Sequence, residues 1–128
     1  MGEREFAEWS RFAQDDLEVA RLLMGMEPRK IEIICYHCQQ SAEKHLKALL
    51  ARIDAPVPRT HDLLNLLDLV TLFHPSLKDM APALARLQPF AIAVRYPFEL
   101  SIPEGFESKV LEAAETVARF IRESASLE

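Results

Sequence analysis

Glycine is scarce, with three residues in 128. They are too few and too scattered for a glycine-rich phosphate loop or a dinucleotide fingerprint. Cysteine occurs twice, at Cys35 and Cys38, which excludes a disulfide scaffold and fits a reducing, cytoplasmic setting. No apolar run is long enough to span a bilayer. No signal peptide opens the chain, because Glu3, Glu5 and Glu8 stand where a basic segment would be needed. Strand-like alternation, internal repeats and low-complexity tracts are absent. No serine or cysteine sits in a nucleophile motif, and the four histidines lack the paired spacing of a metalloprotease.

What remains is half apolar, at 49% hydrophobic residues, and long enough to bury a core without staples. Ala, Leu, Glu, Arg and Lys dominate, which favours helix. Phe6, Trp9, Ala13, Leu17, Ala20 and Met24 recur at steps of three and four and predict a helix over 3–24. Ile31, Ile34, Cys35, Cys38, Ala42, Leu46, Leu49 and Ile53 predict a second over 29–53. Pro56 and Pro58 then force an extended loop. Thr60 reads as the N-cap of a third, well-buried helix ending near His74 and Pro75. A fourth begins near Ser76 or Asp79, carries Pro82 in its first turn, is kinked or split by Pro89 and stops before Pro97. The last runs over 103–123. The expected fold is all-α: a single domain over 3–124 built as an up-and-down antiparallel bundle of four to five helices.

The net charge of −5 argues against an extended nucleic-acid surface. It is unevenly spread. Residues 29–61 hold six basic and three acidic groups, a +3 segment between two segments of −4 each. That suits a small anion or an acidic partner surface, and it is also within ordinary fluctuation of surface charge.

Three elements carry candidate chemistry. On the second helix, Tyr36, Gln40 and Lys44 form one row and Gln39, Glu43 and Lys47 the next, a polar strip about three turns long. Amides can read a base edge and lysines can hold phosphate; Glu43 and Lys47 are equally an ordinary helix ion pair. His61, in Pro58-Arg59-Thr60-His61-Asp62-Leu63, can bind an anion at a helix start or pack against the second helix. Arg95 and Tyr96 can clamp an anion and stack a ring, or simply close a helix. Cys35-Tyr36-His37-Cys38 resembles half a zinc site, but no second pair exists and both thiols fall on the apolar stripe. They read as core residues, and no metal ligand is assigned.

The run Cys38-Gln39-Gln40-Ser41-Ala42-Glu43-Lys44-His45-Leu46-Lys47-Ala48-Leu49-Leu50 resembles the signature of HEPN domains, small helical domains named for higher eukaryotes and prokaryotes nucleotide-binding. Pro58-Arg59-Thr60-His61-Asp62-Leu63 and Val94-Arg95-Tyr96-Pro97 follow in that family's order and rough spacing, and Trp9 and Asp16-Leu17-Glu18-Val19-Ala20 also match. The resemblance covers about residues 5–122. It implies a helical bundle, frequent homodimers and, in prokaryotes, a minimal nucleotidyltransferase encoded alongside as a partner subunit. One branch of the family consists of ribonuclease toxins with an arginine followed four to six residues later by histidine. Here the nearest candidate is Arg95, and positions 99–101 are Glu99, Leu100 and Ser101. Without that histidine the proton transfer of metal-independent RNA cleavage lacks its usual carrier.

No catalytic residue and no cofactor are therefore expected, beyond a nucleotide as ligand. Tyr36, Gln40, Glu43, Lys44, Lys47, His61, Arg95 and Tyr96 are the candidate nucleotide- or partner-binding residues. The leading expectation is a non-catalytic nucleotide-binding adaptor, dimeric and paired with a nucleotidyltransferase. The alternatives are a ribonuclease toxin in which His61 or His37 replaces the missing histidine, and a purely structural partner-binding protein. For the dimer interface, the apolar third helix and Phe90, Tyr96 and Phe98 offer a patch.

Overall fold

A computed structural model describes residues 2–91 and 102–126. These residues form five α-helices and contain no strand, so the chain is an all-α bundle. The helices are α1 (Gly2–Leu23), α2 (Ile31–Arg52), α3 (Leu63–Val70), α4 (Ala81–Leu87) and α5 (Phe106–Ser126). The core is aliphatic: Leu17 from α1, Ile34, Leu46 and Leu50 from α2, Leu63 and Leu66 from α3, Leu84 and Leu87 from α4, and Val110 and Val117 from α5 are all buried.

α1 and α2 form an antiparallel hairpin. Glu3 pairs with Arg52 at one end, Trp9 lies against Lys47 in the middle, and Asp16 pairs with Lys44 further along. Gly2 explains how closely the ends meet: a Cβ there would fall 2.2 Å from the Arg52 carbonyl oxygen. α5 runs parallel to α2, with Arg29 bonded to Glu107 near its start, and it completes the cover of the central helix. α2 is thereby enclosed on most sides, and 14 of its 22 residues are buried. The two cysteines are part of that interior. Burial pushes the Cys35 thiol up to about 12 and the Cys38 thiol higher still, so both are unreactive core groups.

α2 stops in a Schellman turn: the Ala55 N–H donates to the Leu50 carbonyl and the Asp54 N–H to that of Ala51, with Asp54 in the left-handed region at φ 57°. The chain then returns along α2 and reaches it again at His61, whose carbonyl accepts from Gln39 Nε2 at 3.3 Å. Pro56 and Pro58 suit this path, because they hold the backbone extended and offer no amide that would need a partner.

The cap of α3 differs from the sequence expectation. Asp62, not Thr60, is the N-cap, and its Oδ1 accepts from the amides of Leu64 and Asn65. The register is fixed by Gln88, which donates from Nε2 to Asp62 Oδ1 and accepts the Leu63 amide on Oε1 at 2.7 Å. Thr60 instead accepts the Asp62 amide one step earlier. Asp62→Ala should cost about 1 kcal/mol in urea unfolding, the usual loss for an N-cap. An unchanged midpoint would show that Gln88 holds the turn alone.

The fourth segment is broken into three. A 3₁₀ stretch at Pro75–Met80 precedes α4, and a second at Gln88–Ala91 follows it, where Pro89 interrupts the α-helical bonding. That turn drives Phe90 inward against Phe106, with ring centroids 6.5 Å apart. Phe90 is therefore core and not part of a dimer patch. α3 likewise spends most of its apolar side chains on the core. The apolar surface lies elsewhere: Phe12, Val19, Leu22 and Met26 are exposed along and just beyond α1, and Leu72 and Phe73 beyond α3. Ile53, expected on the buried stripe of α2, is an exposed C-cap. α5 begins at Phe106, after a turn in which Gly105 takes φ 92°, rather than at Pro103.

Candidate functional site

The polar strip of α2 is not a free surface of lysines. Two networks run along it, each built around a carboxylate. In the first, Glu43 accepts from Lys47 Nζ on Oε2 at 3.0 Å and meets His61 Nδ1 on Oε1 at 2.9 Å. Gln39 Nε2 also donates to Glu43 Oε1, at 3.2 Å, and Gln40 Nε2 donates to Gln39 Oε1 at 2.7 Å. Glu43 and Lys47 side chains are only 5% and 8% exposed, so this is a buried ion pair. The Lys47 ammonium lies 5.7 Å from the centre of the Trp9 ring, which completes its surroundings.

In the second network, Asp16 from α1 accepts from Lys44 Nζ on Oδ2 at 2.6 Å and meets His37 Nδ1 on Oδ1 at 2.9 Å. His37 packs edge-on against Tyr36, with ring centroids 5.6 Å apart. Lys44, Gln40, Tyr36 and His37 are all half-buried and remain in reach of solvent.

The two histidines share one chemistry. An ionised carboxylate can only accept, so in each neutral ring Nδ1 must carry the proton. Nε2 is then left as an acceptor, or as a donor if the ring is protonated. His61 is 61% exposed, so its Nε2 is open to a ligand. A carboxylate that fixes the tautomer and tilt of a histidine is the arrangement used both to orient a ligand hydroxyl and to move a proton.

Of the eight candidate residues, the fold brings six together: Tyr36, Gln40, Glu43, Lys44, Lys47 and His61. Arg95 and Tyr96 lie outside the described residues. Lys47 and Glu43 face each other and not solvent, so they support His61 and do not themselves meet an anion. Lys44 reaches solvent, but its charge is matched by Asp16. Much of the central +3 excess is answered in the same way, since Arg29 holds Glu107 and Arg52 meets Glu3. The eight candidates leave out Asp16, His37 and Gln39, although Gln39 stands in the polar strip and His37 in the ribonuclease alternative. Asp16 had a signal: it is a carboxylate directly beside Leu17 on the buried stripe of α1.

Glu107 is a separate buried carboxylate. Desolvation pushes its pKa up, but the amides of Glu107 and Gly105 and the Arg29 guanidinium together outweigh that and hold it below the usual range. It secures the start of α5. Among the described residues, no group of three or more His, Cys, Asp or Glu is placed to hold a metal ion, and no helix is long and apolar enough to cross a membrane.

A comparison with family profiles decides what this arrangement belongs to. The HEPN domain profile matches residues 6–126, nearly the whole chain. The chain belongs to the HEPN family. The match spans every element of the site, from Trp9 and Asp16 on α1 to α5. HEPN membership implies a nucleotide-binding or ribonuclease-like role. No curated protein and no solved structure matches this HEPN chain.

Proposed function

We propose that this HEPN domain is a non-catalytic ribonucleotide-binding adaptor that works beside a minimal nucleotidyltransferase subunit. The observation that carries the reading is the pair of histidines on the α2 face, each tethered at Nδ1 by a carboxylate from within the fold. The acceptor nitrogen that each neutral ring keeps opposite its carboxylate suits a hydroxyl of a ribose. The Gln40 amide can meet a base edge, Tyr36 can stack a ring, and Lys44 can turn part of its ammonium toward phosphate. Arg95 and Tyr96 supply the further cation and ring in this reading. Lys47 and Glu43 position His61. A buried ion pair adds little net stability, so its presence under an exposed histidine favours a positioning role.

The test is calorimetric titration of the purified protein with AMP, GMP, CMP and UMP, followed by the 2′-deoxy forms of any that bind. Saturable binding, at least about tenfold weaker for the deoxy form and about tenfold weaker again in His61→Ala or Lys44→Ala, is the expected result. Equal binding by both variants would overturn the residue assignment. The nucleotidyltransferase subunit and a dimer of this chain are the partners proposed. Co-purification of a nucleotidyltransferase with the tagged chain, and light scattering of the purified protein, test them.

The same histidine–carboxylate pairs favour one second reading, a ribonuclease with an atypical site, since they are built to carry protons. RNA left intact by the pure protein in chelator, across the pH range in which histidine titrates, would eliminate it.

A further inference from the structure

A groove of about 490 Å³ lies between α1 and α5, away from the α2 strip. Phe6, Ser10 and Arg11 of α1, His45 of α2, and Ile121 and Arg122 of α5 line it. Its surface is mainly apolar, and polar atoms of two lining residues, buried behind that surface, are orphaned. Neither ring nitrogen of His45 has a hydrogen-bond partner, although the residue is only 7% exposed, and the buried Ser10 Oγ also lacks one. Native interiors rarely leave such atoms unanswered. Burial, assisted by the charge of Arg122, pushes His45 down to about 4, so at neutral pH it offers one donor and one acceptor.

We propose that this groove binds a small aromatic carboxylate that carries a hydroxyl opposite its acid group. The ring lies on Phe6 and Ile121, the hydroxyl answers His45 and Ser10 through a small opening of the floor, and the carboxylate stays at the rim near Arg11 and Arg122. Arg11 is available to swing toward the anion, because its pairs with Glu8 and Asp15 are both solvent-exposed and weak. The volume falls in the range of small-molecule sites, and it is about sixteen times the roughly 30 Å³ share of one water. A single bridging water therefore accounts for the polar atoms but not for the apolar walls.

The probe is 4-hydroxybenzoate, with benzoate and phenol as controls, followed by ¹⁵N correlation spectra of the histidine rings in the full chain. The expected result is a saturable movement of the His45 signals, with both controls at least about tenfold weaker. Ala7→Trp, an exposed position on the groove wall, should weaken the probe by about tenfold or more while the His61 signals stay in place. Ser10→Ala gives a second variant that removes the hydroxyl at nearly unchanged volume, and it should weaken the probe several-fold. The proposal is overturned by three results: no movement of the His45 signals at about 10 mM probe, a movement that survives both variants, or controls that bind as well as the probe. This site is independent of the nucleotide reading, so either can fail alone.

Discussion

Glu43→Ala is expected to destabilise the domain by about 3–5 kcal/mol and to detach His61. The size follows from what the mutation leaves behind. Lys47 would remain 8% exposed against Trp9, a cation without its counter-ion in a largely dry place. Gln39 would lose one of its two acceptors, keeping only the His61 carbonyl. Removing one partner of a buried pair costs far more than the intact pair contributes, because desolvation of the survivor is no longer offset. The paired change Glu43→Leu with Lys47→Met should therefore recover most of the loss, while His61 stays untethered and nucleotide binding stays weak. Urea unfolding of both variants gives the stabilities, and the histidine ring signals report the tether. A Glu43→Ala loss below about 1 kcal/mol would mean that Lys47 finds water or another acceptor, and that the network is not a constraint on His61.

His45 sets the second large effect. Stability should be level above pH 6.5 and fall by roughly 3 kcal/mol as pH drops from 6.5 toward 4. The folded chain holds His45 neutral down to about 4, whereas the unfolded chain protonates it near 6.5. Between those values the unfolded state binds more protons, so acid favours unfolding. The charged groups lining the same groove, Arg11 and Arg122, are both cations and oppose protonation in the fold. His45→Leu should remove this slope. Glu107 acts in the same direction but lower: its carboxyl is held below 4.5 in the fold, so its contribution is present above 4.5 and lost as pH falls through its folded value. Unfolding midpoints of the parent and His45→Leu at half-unit steps of pH separate the two windows. An unchanged slope in His45→Leu would assign the acid sensitivity elsewhere.

The helices were legible because their apolar residues recur at steps of three and four, and the glycine and proline positions mark their ends. α2 was harder to read. Its polar residues suggest a solvent face, and in an isolated helix they would form one. In the fold α1 and the loop carrying His61 close over part of that face, and two of its charges meet partners from other elements: Lys44 meets Asp16, and Glu43 meets His61 as well as Lys47. Local spacing cannot show a partner that arrives from 18 or 28 residues away. The cap of α3 was missed for the same reason. Thr60 and Asp62 are both good caps by type, and Gln88, 26 residues on from Asp62, selects the second. His45 drew no separate reading from the sequence, and it proves to be an interior group without a partner.

His61 reaches the site on the returning loop, while Asp16, His37, Gln39, Glu43 and Lys44 stand on two rigid helices that pack against each other. The loop is held to those helices by the bonds of His61 to Gln39 and Glu43, and Ala55 and Val57 pack against the core. Any ligand gripping His61 must also hold the segment from residue 53 to residue 61 in place, so affinity is coupled to loop order. On the proposed function, a protein that docks on the exposed side of Arg59 and Pro56 would tighten nucleotide binding without touching the nucleotide. One that draws the loop away would release it. Under the proposed adaptor function, the loop is the lever by which a partner subunit would sense or set occupancy of the site.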